Sequence, residues 1–432
     1  MARSEAYRRC EAALKAGAFD DARRHFRSDE DAQGTSADSA AKLQAAETKL
    51  KRGDVPGAAA LFEAVLDRNP ATAEAYAGLA RLALATGQLD AAKVHAMACV
   101  RLAPMNGLGW TLVGLVHETV GEGGLALEAL KKGAELAPTN FLSQLNYGRL
   151  LAQQGRSRVA VVPLQTAAAL EPTNPDPPRF LGMAYHEAKQ FRLALKAFEK
   201  VKDLAPKRVD AWATLGDVLF ELKEFQAARD VLDRGLSTCG DHPALLEKAL
   251  AATMMLDDVP GAITYLEREL TVAPDHEQAW LNLAHLAVLQ KDGEKAERVL
   301  KALLEKNPKQ WEAHFTLGNL YGAVPHTAKA EAAYRKAIEL NPASFKPLLN
   351  LATLFIEGTE PKHHAEAVTL LERAKALAPA DEWRVPYNLA LAHVRLGKKG
   401  QARALVEKLE AQVPPGHALH GEVVKLAKNL GA

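Results

Sequence analysis

The sequence predicts an all-α fold, a solenoid of stacked helix–turn–helix hairpins. Three observations carry this reading. A proline returns every 34 residues at Pro70, Pro104, Pro138, Pro172, Pro206, Pro274, Pro308 and Pro342, and Gly240 stands at the one missed beat. Within each period the same residue classes fall at the same offsets. Alanine, the best helix former, makes up roughly a fifth of the chain, and clusters of β-branched residues are few. A fixed period of this length is what stacked hairpins produce, because one hairpin cannot bury its apolar face alone and covers it with the next.

The helix pair inside each period follows from side-chain size. Gly114, Gly148, Gly182, Gly216, Ala284 and Gly318 recur where the first helix meets the second, and a longer side chain there would hold the axes apart. Ala126, Ala160, Ala194, Ala228, Ala262, Ala296 and Ala330 are the small residues of the second helix. Four positions on, and so on the same face, come Leu130, Leu164, Phe198, Leu232, Leu266, Leu300 and Tyr334, which fill the space that the small residues leave. The closing proline lacks an N–H donor and restricts the residue before it, so each second helix stops on schedule.

The window from Trp311 reads Leu317-Gly318, Tyr321, Ala330, Tyr334, Ala337, Pro342, and in this it resembles the tetratricopeptide signature of L-G-x2-Y, A-x3-F and P. The window from Val209 gives Trp212, Leu215-Gly216, Ala228 and Leu232, with Gly235 and Gly240 in place of the usual alanine and proline. That from Ala73 gives Tyr76, Leu79-Ala80, Gly87, Ala92 and Pro104. About eleven such windows run in register from Ser39 to Gly416. The resemblance implies a right-handed superhelix whose first helices line a concave groove, and a role as a non-catalytic scaffold for protein partners.

Composition narrows the alternatives. With 54 basic and 53 acidic side chains, no overall field draws the protein to nucleic acid or to an anionic membrane. Aromatic residues are 6% of the chain, and no window pairs a basic cluster with stacking rings. The opening MARSEAYRRC leads into no apolar run of signal-peptide length, and no segment has the length and apolarity of a membrane span, so a cytoplasmic protein is expected. Cys10, Cys99 and Cys239 are too few and too far apart for a disulfide framework or a Cys-x-x-Cys zinc site. A chain of 432 residues would ordinarily split into several domains, whereas a solenoid grows by adding hairpins, and one continuous repeat domain over 39–416 is expected.

The ends are expected to be atypical, since an open solenoid end exposes an apolar face. Residues 3–27 read as a divergent hairpin, with Gly17, Ala22 and Phe26 at the right offsets and Arg9-Cys10 where a leucine and a glycine would be expected. A polar loop from Ser28 to Asp38 completes this segment, 1–38. In 417–432, Leu419, Val423, Leu426 and Leu430 form an apolar stripe on a capping helix. Between Pro342 and Pro379 the spacing is 37, and the extra residues are expected in the turn Gly358 to His364, with His363 and His364 solvated on that loop. Gly235, Gly240 and Pro260 mark the least regular repeats, where a bend is expected.

Motifs for chemistry are absent: no His-Glu-x-x-His, no phosphate loop, no Gly-x-Ser-x-Gly, and no cluster of metal ligands. His117-Glu118 and His186-Glu187 lack the second histidine, since Gly121 and Gln190 stand in its place. No enzyme, cofactor or metal is expected.

Binding is expected on the groove. By the resemblance, partner-facing positions are the second, fifth, sixth, ninth and thirteenth of each repeat. The sixth is Asn146, Asn282, Asn350 and Asn388, with Thr316 between two of them. An asparagine amide donates and accepts at once, so a row of them can hold an extended peptide backbone. The arrangement is similar to the asparagine ladder in the solenoid of O-GlcNAc transferases, although Phe180, Thr214 and Lys248 interrupt it; alternatively, asparagine simply suits an exposed polar position. Fifth positions Leu43, Ala77, Thr111 and Leu145 do not fit the carboxylate clamp of some family members, and only Arg179, with Arg149 before it, offers cations for a carboxylate. Met254, Met255, Leu281, Val288, Leu289 and Phe315 read as an adaptable apolar strip for an amphipathic helix, or as packing between repeats. Self-assembly through the ends or the convex surface is the alternative function.

Overall fold

Each 34-residue period becomes one hairpin because its two apolar helix faces meet over small residues and its ends carry stop signals. The computed structural model describes residues 12–13, 37–323 and 327–431. Among them are 23 α-helices and no strand, an all-α helical repeat solenoid. The expected N-terminal hairpin over 3–27 falls, but for residues 12 and 13, outside the described residues.

The chain divides into two compact units, 1–231 and 232–432. In the first, hairpins are built from α1 (Ala37–Lys51) and α2 (Val55–Arg68), α3 (Ala73–Ala85) and α4 (Leu89–Leu102), α5 (Gly107–Thr119) and α6 (Gly123–Leu136), α7 (Phe141–Gln153) and α8 (Ser157–Leu170), and α9 (Asp176–Glu187) and α10 (Phe191–Leu204). Then come α11 (Val209–Glu221) and α12 (Phe225–Cys239), in which the division falls. The second unit holds α13 (Pro243–Met254) and α14 (Val259–Val272), α15 (Glu277–Leu289) and α16 (Gly293–Lys306), and α17 (Trp311–Gly322) and α18 (Thr327–Leu340). It continues with α19 (Phe345–Glu357) and α20 (Pro361–Leu377), α21 (Arg384–Arg395) and α22 (Lys399–Gln412), and the single helix α23 (His420–Leu430).

Within each unit a first helix packs on its own second helix, and that second helix packs on the next first helix. First helices also touch one another: α1 meets α3, α3 meets α5, α5 meets α7 and α7 meets α9 in one unit, and α15, α17, α19 and α21 follow in the other. Second helices make no comparable mutual contact among the described residues. The first-helix side of each unit is therefore its closely spaced face.

The small residues act as the sequence implies. A Cβ on Gly148 would lie 2.6 Å from Leu164 Cγ and 3.2 Å from the Leu164 backbone nitrogen, and one on Gly318 would lie 2.5 Å from the Tyr334 ring. Gly114 stands in the same relation to Leu130, and Gly182 to Phe198. Ala126, Ala160, Ala194, Ala262, Ala296 and Ala330 are all fully buried.

The turns repeat as faithfully as the helices. Between the two helices of a hairpin one residue adopts positive φ: Gly53, Gly87, Gly121 and Gly155, then Lys189, Lys223, Asp257 and Lys291 at the same 34-residue spacing. Between hairpins, the fourth residue of the repeat pins the proline turn. The indole N–H of Trp110, Trp212 and Trp280 donates to the carbonyl of Pro104, Pro206 and Pro274 at 2.8, 2.8 and 2.9 Å, and His314 Nε2 lies 3.0 Å from the Pro308 carbonyl.

The insertion lies elsewhere than expected. The turn after α19 keeps its ordinary three residues, Gly358–Glu360, and the added length goes into α20, 17 residues against 14 in α8 or α14. His363 and His364 are accordingly helical rather than on a loop. His364 is buried with Nε2 2.9 Å from the Gly358 carbonyl, and His363 stacks on Phe355 at 4.5 Å. Ala367 and Leu371, both fully buried, take over the small and large positions three residues late, so the helix gains almost one turn and keeps its packing face. Gly235 sits inside the continuous helix α12, Gly240 follows it at φ +84°, and Pro260 occupies the first turn of α14, whose cap is Asp258.

Two substitutions test these constraints. Gly148→Ala gains helix propensity but forces two helices apart, and is expected to lower stability by about 1–2 kcal/mol in urea unfolding. Lys291→Gly relieves a left-handed backbone at the cost of unfolded-state entropy, and is expected to raise stability by about 0.5–1 kcal/mol in the same measurement.

Candidate partner-binding face

The nine residues singled out by sequence divide between the two units, and their surroundings differ. In the first unit, Asn146 on α7 donates to the Leu142 carbonyl at 2.8 Å within its own helix. Arg149 forms a two-point ion pair with Glu118 of α5, at 2.7 and 2.5 Å, and also reaches Gln153. Arg179 on α9 pairs with Asp176 at 3.2 Å and lies over the Phe180 ring, 4.0 Å from its centroid. Both arginines thus already serve carboxylates of this chain, and an incoming carboxylate would have to displace one of them.

In the second unit the amides link neighbouring first helices. Asn350 on α19 donates to Asn319 Oδ1 on α17 at 2.7 Å, and Asn388 on α21 donates to Thr353 Oγ1 on α19 at 2.9 Å. Asn319 Oδ1 also accepts from the Tyr334 hydroxyl at 3.0 Å, while Thr353 passes its hydrogen to the Leu349 carbonyl. Burial pushes the Tyr334 phenol up to about 12, with Glu357 acting in the same direction and a hydrogen bond with Asn350 against it, which keeps Tyr334 a neutral donor. Asn282 on α15 instead accepts from Gln278 of its own helix. Asn319 and Thr353 were not singled out by the sequence reading, although both occupy ninth positions.

Asn319, Tyr334, Asn350 and Thr353 line an open pocket of about 340 Å³, which Gly322 and Ala323 of α17 and Leu354 and Glu357 of α19 complete; Asn282 and Asn388 lie outside it. Beside it Phe315 packs between the rings of Trp311 and Tyr334, 6.3 and 6.2 Å away, and is only partly exposed. Leu281 is buried. Met254 and Met255 at the end of α13, and Val288 and Leu289 at the end of α15, are different: they are 42, 52, 42 and 68% exposed and occupy the same two positions of consecutive repeats.

Models of the tetratricopeptide repeat match residues 49–95, 185–252, 254–318 and 312–344, which include the spacer Gly318 and the proline turns held by Trp212, Trp280 and His314. The chain is a tetratricopeptide repeat protein. Its fold is similar to that of yeast Tom70, with 13% identity, 92% of this chain and 96% of that chain covered, and a TM-score of 0.40. It is also similar to PilF of Pseudomonas aeruginosa, at 24% identity over 47% of this chain and 92% of that chain, with a TM-score of 0.40. A third is YrrB, a tetratricopeptide repeat protein with an unusual peptide-binding site, at 18% identity over 44% of this chain and 97% of that chain, with a TM-score of 0.36. No curated protein matches the chain.

Tetratricopeptide repeat proteins bind other proteins, and the family is typically non-catalytic. Among the described residues no three His, Cys, Asp or Glu side chains are grouped to hold a metal ion, and no helix is long and apolar enough to cross a membrane. Cys99 is buried, Cys239 is half-buried, and Cys10 lies outside the described residues.

Arg149→Ala in this repeat protein leaves Glu118 mostly buried without its fork, and is expected to cost about 1–2 kcal/mol in urea unfolding. Arg149→Lys should recover part of the loss, since an ammonium cannot make the two-point pair.

Proposed function

We propose that this tetratricopeptide repeat protein is a non-catalytic scaffold that holds an amphipathic helix or peptide of a partner protein on the first-helix face of its second unit. The observation that carries the reading is the exposed quartet Met254, Met255, Val288 and Leu289. Four large apolar side chains left in water at matching positions of adjacent repeats cost free energy unless something covers them, and their spacing along one face suits the apolar stripe of a helix. Methionine adds a shape that adapts to the partner. The tethered amides of Asn350 and Asn388, already oriented by Asn319 and Thr353, support a second kind of contact with a peptide backbone.

Self-association is a second reading, favoured by a different observation. Leu125 of α6, Val159 of α8 and Leu193 of α10 recur at one position of three consecutive second helices and are 51, 56 and 44% exposed. Light scattering across a concentration series separates the readings, because a monomer at high concentration excludes the second.

Replacing Met254, Met255 and Leu289 by glutamine and Val288 by threonine is expected to abolish capture of protein partners from lysate of the native host, compared with wild type by mass spectrometry, while leaving the melting temperature unchanged. Recovery of the same proteins by the variant sinks the helix-docking reading. Asn282, Asn350 and Asn388 replaced together by alanine are expected to weaken the same capture, and undiminished capture removes the amides from the site.

A further inference from the structure

In several repeats the fourth residue occupies the space between its own hairpin and the proline turn before it. Trp110, Trp212 and Trp280 each place an indole there that donates to the turn carbonyl six residues earlier. Lys132, 22 residues after Trp110, sets its ammonium over that ring, 3.7 Å from the centroid. Where the fourth residue carries no ring, Pro178, Leu246 and Leu348 are themselves buried. The last hairpin, α21 with α22, differs. Its fourth residue is Pro386, which is only half-buried and borders a pocket of about 330 Å³.

This pocket repeats the parts of the Trp110 site at the same offsets. Ala380, six residues before Pro386 as Pro104 is before Trp110, lines it, and among the described residues the Ala380 carbonyl accepts no hydrogen bond. Lys408 lines it 22 residues after Pro386, is exposed, and has no carboxylate partner among the described residues. Val385 and Leu409 are buried apolar walls, with Leu405 beside them. Two neighbours are already engaged: Arg384 donates to Glu382 at 2.7 and 2.8 Å, and Trp383 lies edge-on to His417, 4.8 Å away.

An apolar slot with an unpaired carbonyl and an ammonium at its border selects a flat group that donates once and accepts nothing. Among protein side chains that is tryptophan, whose indole N–H only donates and whose ring face is the best partner for a cation. We propose that this pocket takes a tryptophan side chain of a bound partner protein, its N–H on the Ala380 carbonyl and its face beneath Lys408, as Trp110 sits in its own repeat. The proposal goes beyond helix docking on Met254, Met255, Val288 and Leu289 and uses no residue of that surface.

The test is saturation-transfer difference NMR of the full-length protein with N-acetyltryptophanamide, its 1-methyl analogue and N-acetylleucinamide, each titrated into the millimolar range. N-acetyltryptophanamide is expected to bind roughly fivefold more tightly than the 1-methyl analogue, which keeps the ring and loses the donor, and roughly tenfold more tightly than the leucine compound. Lys408→Gln is expected to weaken it roughly threefold. Pro386→Trp, which gives the last hairpin an indole of its own, is expected to abolish binding. Equal binding of the tryptophan and leucine compounds to wild type overturns the proposal without any variant having to fold. Binding retained by a folded Pro386→Trp protein overturns it as well. Equal binding of the 1-methyl analogue overturns the placement on the Ala380 carbonyl, and undiminished affinity in Lys408→Gln overturns the placement beneath Lys408. The Met254, Met255, Val288 and Leu289 replacements are expected to leave the affinity for N-acetyltryptophanamide unchanged, so failure here is distinguishable from failure of helix docking.

Discussion

Everything in this chain depends on one close approach, that of two helix axes across a residue with almost no side chain. Gly148 against Leu164 and Gly318 against Tyr334 show the constraint in its simplest form, with no room for even one methyl group. Because the first helix gives up volume there, the second helix can place a large side chain sixteen residues later, and each hairpin closes as a size-matched pair. The same match decides what is left for partners. Where the large residue is aromatic, as at Phe198 and Tyr334, it forms the floor of a pocket on the first-helix face.

Those two pockets occupy the same register, four repeats apart. Met183, His186, Glu187, Thr214, Asp217 and Val218 stand in one where Asn319, Gly322, Ala323, Asn350, Thr353 and Leu354 stand in the other. The backbone therefore supplies one concavity twice, and the side chains write two chemistries into it, carboxylates in one and amides in the other. A repeat fold achieves this because the positions that hold the hairpin together and those that face outward are separate sets on each helix, and the second set varies at little cost in stability.

The sequence was most legible where one residue decides one conformation. Prolines, spacer glycines and buried alanines each act locally, so their period translated directly into the paired helices seen among the described residues. It was less legible where the decision belongs to two elements. The spacing of 37 before Pro379 gave the size of the insertion but not its place, because an added turn of helix and an added loop have the same length in sequence; burial of Ala367 and Leu371 settled it for the helix. The left-handed turn residue was hidden for a related reason. Glycine marks it at Gly53, Gly87, Gly121 and Gly155, but the next four repeats place lysine or aspartate there in the same left-handed conformation.

The asparagines show the same limit for the candidate site. A sixth-position amide looks free in sequence, yet whether it is depends on the ninth-position residue of the preceding hairpin, 31 residues earlier for Asn350 and 35 for Asn388. That pairing follows from how closely first helices stack, which no single repeat encodes. Its consequence bears on affinity. An amide already bonded to its neighbour has lost its rotational freedom during folding, so a partner that uses its remaining groups pays less ordering entropy than it would at a free side chain. On the proposed reading, the bonds that take Asn350 and Asn388 out of the list of loose polar groups are thus the ones that would prepare them for recognition, whereas Arg149, whose fork is closed on Glu118, serves the fold itself.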